Sequence, residues 1–217
     1  RIYNTDVNQL SNLFASVFVK PTHFDYTSEN LPSLPISVTL EEVNLQLRCL
    51  KRGSPGPDNI PWWILRDYAD ILTPAVHHIF MLSLHSATVP NCFKNAYVTP
   101  VPKCDNPSPS DFRPISLLPI LSKVLERLVL RKWFNGIIRK MDPLQFAFVP
   151  RTGQGTVSAL TYILHKILSF LDSPGEVCLL LLDFTKAFDR IPHDIILRAL
   201  VSFNAPYELT RWISSYL

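Results

Sequence analysis

The sequence predicts an α+β fold, predominantly helical, and three observations carry that expectation. Apolar residues recur at three- and four-residue spacing over long stretches, the period of one helix face. Only two short stretches, 96–101 and 177–182, read as strands. Hydrophobic residues make up 47% of the 217 and charged residues 18%, the balance of a chain that buries a core, which excludes a disordered tail. Proline, at 19, is about twice its usual frequency and glycine, at 6, about half of it. The connections are therefore stiff and proline-marked.

In chain order, Val7, Leu10, Leu13, Phe14, Val17 and Phe18 place an amphipathic helix over 7–19, ended by Pro21. Thr39-Leu40-Glu41-Glu42 has the form of a capping box: a hydroxyl for an orphan amide and, three residues on, a carboxylate that reaches back. Val43, Leu47 and Leu50 share one face of the helix behind it. Gly53-Ser54-Pro55-Gly56-Pro57-Asp58-Asn59 is a loop. Helices are expected over 61–69 and 74–88, the second with Thr73 as N-cap and Pro74 at its first position. Ala96 to Val101 is a short strand, and 105–114 is a loop holding Pro107, Pro109 and Pro114.

Residues 119–134 form a helix with Leu121, Val124, Leu125, Leu128 and Val129 on the core side and arginine and lysine opposite. Residues 156–171 form another, through Leu160, Ile163, Leu164, Ile167, Leu168 and Leu171. Val177 to Leu182 is apolar on both faces, as in a strand covered on both sides, and it terminates at Asp183. Pro192 starts a helix over about 193–203, and 207–217 begins one more.

The longest unbroken apolar run, Val177 to Leu182, has six residues, against about 18 for a membrane span, so no membrane partner is expected. No signal peptide is visible, and the chain opens on Arg1, as a fragment would. Cys49, Cys92, Cys104 and Cys178 form no Cys-x-x-Cys pair, which argues against a zinc site and for a reducing compartment. His77, His78 and His85 lack the spacing of a metal pair, and Trp62-Trp63 reads as helix packing ahead of base stacking.

The net charge of +3 conceals a segregation. Residues 1–93 carry −2, residues 94–151 carry +6, and residues 152–217 carry −1. Lys103, Arg113, Lys123, Arg127, Arg131, Lys132, Arg139, Lys140 and Arg151 supply the positive field. Such a segment is either a solvated helix face or the footprint of a polyphosphate partner, nucleic acid or nucleotide.

The informative stretch is Leu179 to Asp189, a carboxylate at the exit of an apolar strand. A rigid strand fixes Asp183 where solvent and ligands reach it, which suits a hard divalent cation that bridges to phosphate. A turn residue or helix cap has the same pattern. So does the magnesium strand of a P-loop nucleotidase, but neither Gly53–Gly56 nor Gly153-Gln154-Gly155 continues into Gly-Lys-Ser/Thr.

Asp183-Phe184-Thr185-Lys186-Ala187-Phe188-Asp189 closely resembles the first catalytic palm motif of reverse transcriptases from LINE-type (non-LTR) retrotransposons. Ser54 to Pro61 is similar to the family's stretch ahead of the fingers. Ala96 to Lys103 followed by Phe112 to Leu118 is similar to its fingers motif, Ser122 to Glu126 to the helix that follows, and Gln145-Phe146-Ala147-Phe148 to the next motif. Leu13 to Phe18 and Trp212 to Leu217 resemble the flanking segments, so the likeness covers nearly the whole chain in the family's order.

The resemblance implies a partial right-hand polymerase: a helical N-terminal extension over 1–52, a fingers-like region with the basic segment over 53–172, and the beginning of the palm over 173–217. It implies that Asp183 binds catalytic Mg2+ with the Phe184 carbonyl as a second ligand. Phe188 would be the gate beneath the incoming sugar, with core packing as its plain alternative. Arg113 and Lys103 would hold the deoxynucleoside triphosphate, Arg113 being otherwise a cap or salt-bridge partner. Lys123, Arg127, Arg131, Lys132 and Arg151 would face the RNA template and DNA primer.

Two departures stand against the likeness. Ala147 occupies the position of the family's usual glycine. More heavily, two-metal phosphoryl transfer needs more than one carboxylate, and no Asp-Asp pair occurs in the sequence. In the family that pair lies on a later hairpin, ahead of a thumb, and the sequence reaches Leu217 without it. The expectation is magnesium-dependent RNA-directed DNA synthesis in the family, with this chain inactive alone. A retrotransposon-derived remnant that at most binds nucleic acid is the alternative.

Overall fold

The structure, a computed structural model, describes residues 37–149, 155–184 and 187–217. The helix expected over 7–19 and Arg151 lie outside the described residues. Nine α-helices and one hairpin are described: α1 Leu40–Arg48, α2 Trp62–Asp67, α3 Ala69–His85, α4 Asn91–Lys94, β1 Tyr97–Pro102, β2 Phe112–Leu117, α5 Ile120–Ile138, α6 Thr156–Leu171, α7 Ala187–Arg190, α8 His193–Ser202 and α9 Tyr207–Tyr216.

The capping box of α1 forms as its sequence dictates. The Thr39 hydroxyl accepts the Glu42 amide at 3.2 Å, and the Thr39 amide donates to Glu42 Oε2 at 2.8 Å. That amide bond, and then Lys132, holds the Glu42 carboxyl below its ordinary range. Thr39→Ala is expected to cost about 1 kcal/mol of stability, read as a lower urea midpoint at unchanged denaturant dependence.

Val43 and Leu47 of α1, Phe80 and Leu84 of α3, Val124 and Leu125 of α5, and Leu197 and Leu209 of α8 and α9 share one buried cluster. Polar ties fix the helices around it. Arg48 Nη2 donates to both carboxylate oxygens of Asp70, at 2.6 and 2.8 Å, and Asn44 Nδ2 reaches Asp70 at 2.9 Å and Thr73 at 3.0 Å. The guanidinium first, and Asn44 after it, keep the Asp70 carboxyl low.

At the other end, Trp212 Nε1 donates to Ser83 Oγ at 3.1 Å, and the Val89 amide donates to Ser215 Oγ at 3.0 Å. The Tyr216 hydroxyl donates to the Glu126 carboxylate. Burial first, then Glu126, raises the Tyr216 phenol well above its ordinary value, so it stays protonated.

Three sequence expectations are corrected. Helix α3 starts at Ala69, so Pro74 lies inside it and Thr73 is no N-cap; the Thr73 hydroxyl donates to the Ala69 carbonyl at 2.6 Å and accepts from Asn44. Burial of Ala69 and Thr73 beside α1 outweighs the missing proline donor.

Residues 112–114 belong to a strand, not a loop, preceded by a 3₁₀ turn at Pro109–Asp111. The register explains why three prolines are tolerated. Pro100 faces Pro114 and Pro102 faces Phe112, so all three fall in the same alternate set of pairs. The other set carries the ladder donors of an antiparallel pair.

Helix α6 forms as expected, but none of its residues is buried; Leu160, Leu164 and Leu168 are all more than half exposed. Val177 to Leu182 pairs with no strand among the described residues, and Leu182 is 82% exposed. A strand apolar on both faces needs pairing edges and two covering layers, and the described residues supply neither.

Candidate nucleic-acid interface and carboxylate site

The predicted site residues fall on three parts of the fold. The first is the hairpin. Phe112 is its buried anchor, while most of β1 and β2 is exposed. Lys103 follows β1; its amide donates to the Asp111 carbonyl at 2.8 Å and its Nζ to the Ser110 carbonyl at 3.3 Å. Arg113 lies on β2 opposite Val101 and is exposed. The Ser108 hydroxyl, before its amide, holds the Asp111 carboxyl low, which pins the turn between the two cations.

The second part is the segment after α6. Asp183 and Phe184 are exposed and lie in neither helix nor strand, with the Phe184 amide donating to Asp183 Oδ1 at 2.9 Å. Phe188 falls in α7 with its side chain outside the described residues. Asp183 offers the hard oxygen that magnesium prefers. Yet the described residues contain no group of three histidine, cysteine, aspartate or glutamate side chains able to hold an ion, so they do not fit a complete two-ion centre.

The third part is cationic and is assembled by tertiary structure. A cavity of about 560 Å³ opens between the end of α1, the loop behind it and the first half of α5. Lys51, Arg52, Lys123, Arg127 and Arg131 line it, and no lining residue is acidic. Lys123, Arg127 and Arg131 stand four residues apart on α5, one row with about 6 Å between successive positions. The opposite face of α5 buries Val124, Leu125, Leu128 and Val129.

The loop is held to α5 by a close approach. Gly56 is buried, and a Cβ there would sit 2.4 Å from the Pro119 nitrogen and 2.5 Å from the Leu118 carbonyl carbon. Only glycine lets the two backbones meet. The Asn59 amide donates to the Gly56 carbonyl at 3.0 Å, with Asn59 at φ 52°, a left-handed conformation asparagine tolerates. This docking brings Lys51 and Arg52 opposite α5.

Lys132 is engaged elsewhere: its Nζ is 3.1 Å from Glu42 Oε2, joining α5 to α1. Trp62 takes the Arg66 guanidinium on its ring face at 4.4 Å, and His77 Nε2 lies 2.9 Å from the Val38 carbonyl. All four cysteines are free and exposed. Among the described residues no helix is long and apolar enough to cross a membrane. Ala147 adds no backbone strain, since the positive φ of its motif is at Phe148, 60°. Sequence reasoning missed Lys51 and Arg52. Their adjacency just ahead of the glycine–proline loop was the only signal.

Residues 101–217 match the family described as reverse transcriptase (RNA-dependent DNA polymerase). The chain is 32% identical over 168 residues to the RNA-directed DNA polymerase from mobile element jockey of Drosophila melanogaster, covering 74% of this chain and 18% of that protein. To its Drosophila funebris counterpart it is 30% identical over 222 residues, 96% of this chain and 24% of the relative. To the probable RNA-directed DNA polymerase from transposon BS of Drosophila melanogaster it is 32% identical over 183 residues, 81% of this chain and 20% of the relative. The chain thus spans between 18 and 24% of the length of these relatives. With the motifs in family order, the chain belongs to the reverse transcriptases of non-LTR, LINE-type retrotransposons.

Proposed function

We propose that this chain is the N-terminal extension (1–52), fingers (53–172) and opening palm (173–217) of an RNA-directed DNA polymerase that transfers nucleotides with Mg2+. The observation that carries this reading is the exposed Asp183 carboxylate directly after an apolar run, in a chain whose family match covers that position. When bound, magnesium would supply charge neutralisation at the transferring phosphate. Asp183, with the Phe184 carbonyl, would contribute oxygen ligands. Arg113 would fork onto triphosphate oxygens and Lys103 would add a point charge. Phe188 would limit the space beneath the sugar. RNA template and DNA primer would be held by backbone contacts from the cationic row of α5.

One carboxylate does not hold two ions in line, so these 217 residues by themselves are expected to incorporate no nucleotide on an RNA template with DNA primer, deoxynucleoside triphosphates and magnesium. Joined to an aromatic-Ala-Asp-Asp hairpin in a longer polypeptide, the segment is expected to support extension, and Asp183→Ala to reduce it roughly a thousandfold or more. Asp183-dependent extension by the 217 residues alone would overturn the first expectation; full activity of Asp183→Ala in the longer protein would overturn the second. A non-catalytic, nucleic-acid-binding role is the second reading, favoured by the acid-free cationic cleft.

A further inference from the structure

The cationic cleft contains a nucleophile. Cys49, the residue that ends α1, lines it with its thiol free and exposed. Lys51 and Arg52 come to it from the loop, and Lys123, Arg127 and Arg131 from α5, with no acidic residue in the lining. Gln46 lies three residues before Cys49, on the same face of α1. It lines the same cleft although only 3% of its surface is exposed. Its amide carries two donors and an acceptor oxygen, and no described residue bonds to any of them. A buried amide without a partner is costly, so this wall favours a ligand that brings amide groups as well as negative charge. The other cysteines have different surroundings: Cys92 lies in α4, Cys104 between Lys103 and Asp105, and Cys178 two residues past Glu176.

We infer that Cys49 is a modification site for a small anionic disulfide bearing carboxylates and amides, the class of glutathione disulfide. The cleft, about 560 Å³, has the usual size of a small-molecule site. Carboxylates of the disulfide pair with the arginines and lysines, and one of its amides meets the Gln46 amide. The Cys49 sulfur, as thiolate, attacks one sulfur of the bound disulfide. The ligand's S–S bond breaks as the new one forms, and the departing thiolate takes up the proton that Cys49 gave. Cys49 is thereby oxidised, the disulfide is reduced, and one free thiol leaves. Selectivity comes from the field, which concentrates the anion in the cleft. The adduct would also close the cleft to the RNA template; that consequence rests on the function proposed above, whereas the modification site does not.

The test is the rate of mixed-disulfide formation at each cysteine of the reduced 217-residue chain, read by acid quenching and peptide mapping with mass spectrometry. With glutathione disulfide, Cys49 is expected to react at least about tenfold faster than Cys92, Cys104 or Cys178, the low end of what a focused field gives. With cystamine, a cationic disulfide, that preference is expected to vanish. Near 1 M salt, where charges are screened beyond about 3 Å, the preference for glutathione disulfide should largely be lost. No preference for Cys49 with glutathione disulfide, or an equal preference with cystamine, would overturn the site.

Lys51→Gln/Arg52→Gln is expected to slow the reaction at Cys49 about fivefold and to leave the other cysteines unchanged. Lys166→Gln/Arg190→Gln, the same charge change on α6 and α7, is expected to slow none. All four residues are exposed, so these substitutions spare the core. Equal effects of the two double variants would mean that net charge attracts the disulfide, and would overturn the cleft as its site. Gln46→Leu keeps the volume and removes the amide. It is expected to slow Cys49 at limiting glutathione disulfide without lowering the urea midpoint; an unchanged rate would overturn the amide contact. Asp183→Asn is expected to change none of these rates, so the site stands or falls independently of nucleotidyl transfer.

Discussion

Phe80→Ala is expected to lower the unfolding free energy by about 3–5 kcal/mol, a large fraction of the roughly 5–15 kcal/mol that holds a domain folded. Phe80 has no exposed surface, and its ring meets the Phe93 ring edge to face, centroids 6.5 Å apart at 80°. It sits midway along α3, the helix that α1 packs against and that receives the Trp212 indole through Ser83. Removing the ring therefore leaves a cavity between elements already pinned by polar ties, and such a site collapses poorly. Urea unfolding followed by circular dichroism should show the midpoint falling at constant denaturant dependence. Phe80→Leu, which keeps most of the volume, should lose far less. A cost below 1 kcal/mol for Phe80→Ala would place Phe80 outside the core.

Gly56→Ala and Gly136→Ala are the same chemical change and are expected to act in opposite directions. At Gly56 the new methyl meets backbone atoms, the Pro119 nitrogen at 2.4 Å and the Leu118 carbonyl at 2.5–2.8 Å. No rotamer change relieves that, so the loop must lift from the start of α5, at a cost of about 3 kcal/mol, the upper end for overpacking. At Gly136, inside α5, nothing lies within 4 Å of the added methyl. There alanine restricts the unfolded chain and is expected to stabilise by about 0.5–1 kcal/mol. Denaturant midpoints for the pair decide it: an unchanged or raised midpoint for Gly56→Ala would mean that Gly56 is not pressed against Leu118 and Pro119, and a lowered one for Gly136→Ala that its surroundings are not open. Lifting the loop also carries Lys51 and Arg52 off α5, so Gly56→Ala should weaken RNA binding where Gly136→Ala does not.

What was legible in the sequence was what short-range physics decides. The capping box of α1 needs only Thr39 and Glu42 three residues apart, and it forms. The apolar stripe of α5 from Leu121 to Val129 faces the core because its period leaves no other arrangement. Helices α6, α8 and α9 stand where their patterns placed them.

Pro74 and Pro114 misled because proline's missing donor matters only where a neighbour needs that donor. Thr73 and Ala69 are buried beside α1, and Pro114 falls in the pair set that bonds nothing. The apolar run of 177–182 announced burial, but burial requires a partner surface, and among the described residues it finds none.

By itself, then, the sequence determined the family, through its motif order, together with the helix periods and Asp183 as the carboxylate to follow. Only the tertiary structure decided which charges act together. By position in the chain Lys51 and Arg52 belong to the net-acidic first third, yet the Gly56 contact sets them across from Lys123, Arg127 and Arg131. Lys132, one residue from Arg131, is spent on Glu42. Coulomb fields sum over distance in space, and distance in space is set by packing that a residue's place in the sequence does not encode.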